Sequence, residues 1–211
     1  MVDTFTNDKL ENNSGNGSEK AQQARAKLRK HMRAARKALD EKTQAKAANA
    51  LLSNVMAALA QHETTKPLHN VAGYLAFQGE IDVSPVMQAL RAKSIATYVP
   101  MLDGDILRFA PWSEQTPHTT NRFGITEPLV PENQWIPADK LDAVLVPLVA
   151  FDNAGHRMGM GGGFYDKTFS QRRKLPGPPW LFGVAHELQR VESVYPEWWD
   201  VKLDNILTDV R

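Results

Sequence analysis

An α/β fold, with a mostly parallel sheet and helices on both faces, is what this sequence predicts. Apolar, strand-like runs alternate with helix-forming stretches along most of the chain, the pattern of a parallel sheet covered by helices. One such run, Ala143–Phe151, leads through the turn Asp152-Asn-Ala-Gly155 into Arg157-Met-Gly-Met-Gly-Gly-Gly-Phe-Tyr-Asp166, where a helical pattern resumes. Of 211 residues, 42% are hydrophobic and 23% charged, ordinary values for one soluble globular domain.

The elements follow in order. Residues 1–19 are rich in Asn, Asp, Ser and Gly, bury almost nothing and are expected to be a disordered tail, leaving 20–211 as a single domain. From Lys20 a helix with an Ala/Gln/Leu background begins, and a second runs from about Lys42 to Gln61, ending before Thr64-Thr-Lys-Pro67. Val71–Phe77 reads as a strand, and Ser84-Pro85 as an N-cap with proline in the first turn of a helix reaching Lys93. Ile95–Pro100 is the next strand, with Ile106–Ala110 its hairpin partner across Asp103-Gly-Asp105. Asn121–Pro128 is a loop turning at Gly124. After the Ala143–Phe151 strand and the glycine run, a helix extends to about Arg173; Trp180–Ala185 and Asp204–Thr208 are the last strands. This order predicts a Rossmann-like three-layer sandwich with a basic N-terminal helix. In such folds ligands sit beyond the carboxyl ends of the strands, which is where the glycine run and Gln78-Gly-Glu-Ile-Asp82 belong.

Charge is unevenly spread. Between Lys20 and Leu39 stand eight Lys/Arg residues and no acid, so the remaining 17 basic residues face 24 acidic ones elsewhere. At about 100° per residue, Leu28, Met32, Ala35 and Leu39 form a core-facing stripe. Arg25, Arg29, Arg33 and Arg36 form a second stripe about a quarter-turn away, at the rim of a groove. The acidic body and the lack of a recognition fold argue against a nucleic-acid-binding module. No apolar stretch reaches membrane-spanning length and no secretory signal opens the chain. With no cysteine, disulfides, thiolate metal sites and cysteine nucleophiles are excluded, and the cytoplasm is the expected compartment. Six histidines show no metal-ligand spacing; His186 alone is placed to line a cleft. Trp198-Trp199 reads as packing or as a cleft rim.

The glycine run carries the chemistry. Four glycines in five positions, Gly159, Gly161, Gly162 and Gly163, contribute no packing and cost backbone entropy. Consecutive N–H groups opening onto a helix make a concave donor surface suited to phosphate. The loop lacks the Gly-Lys-Ser/Thr ending of a Walker motif, and Phe164 stands where the dinucleotide fingerprint needs Gly or Ala. A nicotinamide cofactor is not expected.

Taken together, Arg25-Ala-Lys-Leu-Arg29, Gln78–Asp82, Phe123-Gly-Ile-Thr-Glu-Pro128, Val146–Asp152, Arg157–Asp166, Gly183-Val-Ala185 and Trp199-Asp-Val-Lys-Leu-Asp204 resemble, in order, the blocks of the 5-formyltetrahydrofolate cyclo-ligase (methenyltetrahydrofolate synthetase) family. The resemblance spans about residues 22 to 208 and implies ATP-dependent closure of 5-formyltetrahydrofolate to 5,10-methenyltetrahydrofolate, releasing ADP and phosphate through a phosphorylated formyl oxygen. It implies ATP contacts at Arg25, Ala26, Lys27, Leu28 and Arg29, and at Arg157, Met158, Gly159, Met160, Gly161, Gly162, Gly163, Phe164 and Tyr165. Folate contacts are implied at Leu75 and Glu80 and along Met160–Phe164, Mg2+ at Asp166 and Asp204, and catalytic roles for Arg157 and Tyr165. The partners implied are small molecules, reduced folate and ATP, with no nucleic acid or membrane, acting on a monomer. Many members carry Arg and Lys inside the loop, where this chain has Met160 and Gly162, and Tyr where Phe164 stands; neutralisation then falls on Arg25, Arg29, Arg157 and magnesium. A sugar-phosphate isomerase or acyl-transferase relative on a similar sheet is the main alternative, because fold does not fix function.

Overall fold

The computed structural model describes residues 14–63, 67–120, 126–175 and 177–210. Expectations for 1–13, for the turn at Gly124 with the Asn121–Ile125 part of its loop, and for Thr64–Lys66 lie outside them. Two long helices come first, α1 (Ser14–Lys37) and α2 (Glu41–Glu63). Then follow β1 (Asn70–Ala72), α3 (Ser84–Ala92), β2 (Ala96–Asp103), β3 (Ile106–Pro111), β4 (His118–Thr120), β5 (Thr126–Pro128), β6 (Ala143–Pro147), β7 (Ala150–Phe151), β8 (Arg157–Met158), α4 (Phe164–Thr168), β9 (Trp180–Val184) and β10 (Asn205–Leu207). The helix begins at Ser14, inside the stretch expected to be a tail.

The main sheet has the order β10-β9-β6-β1-β2-β3. Every pairing is parallel except the β2–β3 hairpin at one edge, the hairpin read from Asp103-Gly-Asp105. Alternation along β6 shows how the sheet is buried: Ala143 and Leu145 face one layer, Val144 and Val146 the other. The first layer is helical, with Leu51, Val55 and Leu59 of α2 and Val86, Met87 and Leu90 of α3 packed on the strands. The second is not. It consists of the short α4, a 3-10 turn at Ser170–Arg173 and the extended segment carrying Val201 and Leu203. The expected helix to Arg173 breaks at Phe169, and one face of the sandwich is covered mainly by loops.

Three other elements differ from expectation. The strand from Val71 leaves the sheet after Ala72, although the Gly73 N–H still bonds Tyr98 O (2.8 Å). Val83, not Ser84, is the helix N-cap; the Ser84 N–H instead bonds Asp82 Oδ1 at 2.9 Å. The Ala143–Phe151 run splits at Leu148, where the chain crosses the carboxyl edge and forms the β7–β8 hairpin.

α1 lies on that hairpin. Met32 and Leu28 pack against Val149, Ala150, Met158 and Val194, as the apolar stripe requires. The helix is thereby held across the carboxyl edge of the sheet, with its basic stripe turned toward the strand ends.

Candidate functional site

A cleft of about 900 Å³ opens at the carboxyl edge, floored by Pro147, Leu148 and Val149 and walled by α1, the glycine loop and the Glu197–Asp200 segment. Arg29 bridges two walls: its Nε donates to Gly159 O at 3.0 Å, and its guanidinium lies against Gly161. Arg25 donates to Tyr195 O and to Asp200 Oδ2 (3.3 Å). Burial first, then the charges of Arg25 and Arg33, pull the Arg29 pKa below its ordinary value. Crowded cations at a cleft mouth favour an anionic occupant.

The loop itself is open to such an occupant. Gly161 (φ 109°) and Gly163 (φ 68°) hold conformations that favour glycine. Among the described residues, none accepts a hydrogen bond from the amides of residues 159–163. α4 is only five residues long, so the donor surface is the loop, with little help from a helix dipole. The Phe164 ring folds over Gly162, where a Cβ would meet it at 2.6 Å.

Arg157, expected as a phosphate cation, is also held by the protein itself. It is buried, with one guanidinium nitrogen on Val201 O and the other on Asp166 Oδ1 (2.7 Å), while the Val201 N–H also donates to Asp166 Oδ1 (2.9 Å). Arg157 therefore braces the loop's entry against its exit, although it still lines the cleft. Tyr165 lines the same wall, stacked on Phe169 at 6.2 Å, and its hydroxyl is buried with no hydrogen-bond partner among the described residues. Burial, then the Glu80 carboxylate, pushes that phenol far up.

The deep end holds Glu80. Its Oε1 accepts from Arg36 (3.1 Å) and its Oε2 from the Phe77 N–H (3.2 Å). Burial raises the Glu80 carboxyl, against the pull of Arg36 and the Phe77 N–H. Arg36, expected at the rim, is wholly buried.

Other expected residues fall elsewhere. Within Arg25–Arg29 only the two arginines line the cleft; Leu28 belongs to the core, and Ala26 borders a shallower groove of about 330 Å³ with Arg29, Lys30, Arg33, Lys37 and Gln78. Lys27 is exposed and Met158 buried. Leu75 packs on the α2–α3 core. Met160, Gly161, Gly162, Gly163 and Phe164 do line the cleft. His186 is buried and bonds Gly79 O (3.2 Å). Asp204 is not brought to Asp166. It pairs with Arg172 and accepts from the Leu181 N–H (2.7 Å), because the register Asn205↔Phe182 sets it beside the start of β9, away from the carboxyl edge. Asp200, Glu197, Trp199, Arg173 and Lys167 line the cleft and were not anticipated as site residues, apart from the rim reading of Trp199. Among the described residues no three metal-type side chains cluster.

Fold and site define an α/β protein with a cleft at the carboxyl edge of its sheet, walled by a glycine loop and lined by Arg25 and Arg29. The sequence profile of the 5-formyltetrahydrofolate cyclo-ligase family matches residues 21–209. The 5-formyltetrahydrofolate cyclo-ligase of Haemophilus influenzae is 39% identical over 141 residues, 65% of this chain and 74% of its own length. That of Escherichia coli K12 is 38% identical over 144 residues, 66% and 78%. The 5,10-methenyltetrahydrofolate synthetase structure from Aquifex aeolicus superposes with a TM-score of 0.70 at 27% identity, covering 89% of this chain and 90% of that one. The Mycoplasma pneumoniae synthetase shares the fold, with a TM-score of 0.69 at 21% identity over 88% and 98%. This chain belongs to the 5-formyltetrahydrofolate cyclo-ligase family.

Proposed function

We propose that the cleft binds ATP against the glycine loop and α1, binds 5-formyltetrahydrofolate toward Glu80 and Tyr165, and closes the folate to the 5,10-methenyl form. The observation that carries this is the set of amides at 159–163, unclaimed by acceptors among the described residues and faced by Arg29. The formyl oxygen attacks the γ-phosphorus and ADP leaves. The neighbouring folate nitrogen then adds to the formyl carbon and loses its proton, and the C–O bond breaks as phosphate departs. Phosphoryl transfer of this kind depends on positioning and charge neutralisation more than on a protein nucleophile. Arg25 and Arg29 supply the positive charge, and the loop amides supply the oriented donors.

Asp166 and Asp200 fit a magnesium ion. Each lines the cleft with the protein's hydrogen bonds falling on one oxygen, Asp166 Oδ1 and Asp200 Oδ2, which leaves the other for a hard cation. One or two carboxylates with phosphate oxygens and waters suffice for magnesium, which would neutralise charge on the transferring group. No helix among the described residues is long and apolar enough to cross a membrane.

The test is direct. Purified protein with 5-formyltetrahydrofolate, ATP and magnesium should generate the strongly absorbing methenyl product with ADP formed one for one. Product without ATP, or none at all, would refute the reading.

A further inference from the structure

We propose that Arg36 is a positioning residue for the folate end of the cleft, holding the Gln78–Glu80 turn and the Glu80 carboxylate against the end of β6 so that Glu80 meets the substrate as a hydrogen-bond acceptor. The inference rests on the assignment of that end of the cleft to the reduced folate.

Arg36 is 0% exposed and uses all three guanidinium nitrogens. Nε donates to Gln78 O (3.1 Å), one terminal nitrogen to Leu148 O (3.0 Å) and the other to Glu80 Oε1 (3.1 Å). The partners lie on the cleft floor and on the turn beside it. A buried guanidinium is costly to desolvate, and an apolar side chain of similar volume would fill the space without that cost. Filling space therefore does not account for it.

The turn needs a grip. Gln78 (φ 50°) and Gly79 (φ 76°) are successive left-handed residues, and the first has a side chain. Such geometry persists where surroundings over-determine it. Here α1 and α2 supply them: Arg36 Nε donates to Gln78 O, and Gln44 Nε2 of α2 donates to both Arg36 O and Gly79 O at 3.3 Å. His186 Nε2 also meets Gly79 O, at 3.2 Å.

An ionised carboxylate has acceptor sites to spare after two protein bonds. It matches the donor edge of a reduced pterin, which presents an amino group beside a ring N–H. Once protonated, one oxygen becomes a donor and the match fails. Arg36 is the cation that opposes this. The other titratable groups about Glu80 are Tyr74 and Tyr165, whose phenols burial keeps neutral, together with Asp82 and His186. Tyr74 also donates to Ile81 O (2.7 Å), so it is not the acceptor's counter-charge.

The experiment compares wild type, Arg36→Met, Arg36→Lys and Glu80→Gln by steady-state kinetics from acid to alkaline pH, and by tryptophan fluorescence titration with 5-formyltetrahydrofolate alone. Losing a charge-assisted bond should raise the folate KM of Arg36→Met on the order of 10- to 100-fold, with the ATP KM changed by less than about 3-fold. The acid limb of kcat/KM for folate should move to higher pH. Arg36→Lys, which keeps the charge and loses the fork, should fall between, and Glu80→Gln should have no acid limb of this origin. A folded Arg36→Met with wild-type folate KM and pH profile overturns the proposal. Should that variant not fold, an Arg36→Lys indistinguishable from wild type overturns it equally. Wild type that binds the folate without turning it over sinks the reaction but not this inference. Active wild type with unaffected Arg36 variants sinks this inference alone. Wild type that neither binds nor converts the folate sinks both.

Discussion

Asp166 and Asp204 show how differently two carboxylates of one type can be used. Asp166 opens onto the cleft beside the glycine loop, whereas Asp204 is consumed by Arg172 and the Leu181 N–H. Asp166→Asn and Asp200→Asn should therefore each raise the magnesium needed for half-maximal rate several-fold, because a hard cation needs the negative charge. Asp204→Asn should leave that requirement alone and cost about 1.5–3 kcal/mol of stability, the range of a lost charge-assisted bond. Magnesium titrations and melting curves on the three variants separate the two uses. An Asp204→Asn enzyme that demands extra magnesium would return the metal to that residue. Sequence could identify the block Trp199–Asp204 but not which of its two aspartates faces the cleft, since that follows from strand register. Arg36 was hidden for a similar reason. It shares a helical stripe with Arg25 and Arg29, and only the approach of the Gln78 turn to the end of α1 buries it.

At the level of elements, local pattern identified helices and strands well where one face is buried throughout, as in α2 and β6. It overran where the chain changes partner. Val71–Phe77 is apolar along its length, yet only its first two positions, Val71 and Ala72, pair in the strand, because beyond Ala72 the chain turns to deliver Glu80. The turn that does this offers a test. A Cβ on Gly79 would lie 2.6 Å from the Arg36 carbonyl oxygen, at φ 76°, so Gly79→Ala meets both backbone strain and a backbone clash. Gly104 (φ 58°) has nothing within 4 Å, so Gly104→Ala meets strain alone. Strain of this kind costs about 1–2 kcal/mol. Gly104→Ala should lose about that and keep its folate affinity, and Gly79→Ala should lose more stability and also bind folate worse. Equal melting temperatures and affinities for the two would mean that the turn is not gripped as described.

For the whole molecule, acidification probes how the buried layers hold together. His186 is buried at the end of β9, and burial keeps its imidazole neutral below the ordinary 6.5. As pH falls past that value the unfolded chain takes up a proton that the folded chain resists, so stability drops from about pH 6.5 downward. Glu80 acts in the other direction, since its raised carboxyl binds a proton more readily when folded, but a comparison at fixed Glu80 cancels it. Wild type should lose more melting temperature between pH 7.5 and 5.5 than His186→Gln; parallel losses would show that His186 titrates normally. The parallel order of the sheet was legible from strand–helix alternation. The thin loop-built layer was not, because Val201 and Leu203 reach the sheet from a segment with no periodicity of its own. α1 spans the carboxyl edge of the sheet as one unbroken rod, touching the glycine loop through Arg29 and the Gln78–Glu80 turn through Arg36, seven residues and about 10 Å apart along its axis. Seven residues are almost two full turns, so both guanidiniums emerge on nearly the same side. One extra residue between them would swing everything downstream by about 100° and lift Arg36 from its socket while Arg29 stayed seated. The stretch from 29 to 36 is thus a calibrated spacer, and it should resist changes of length that an ordinary helix at the molecular surface absorbs.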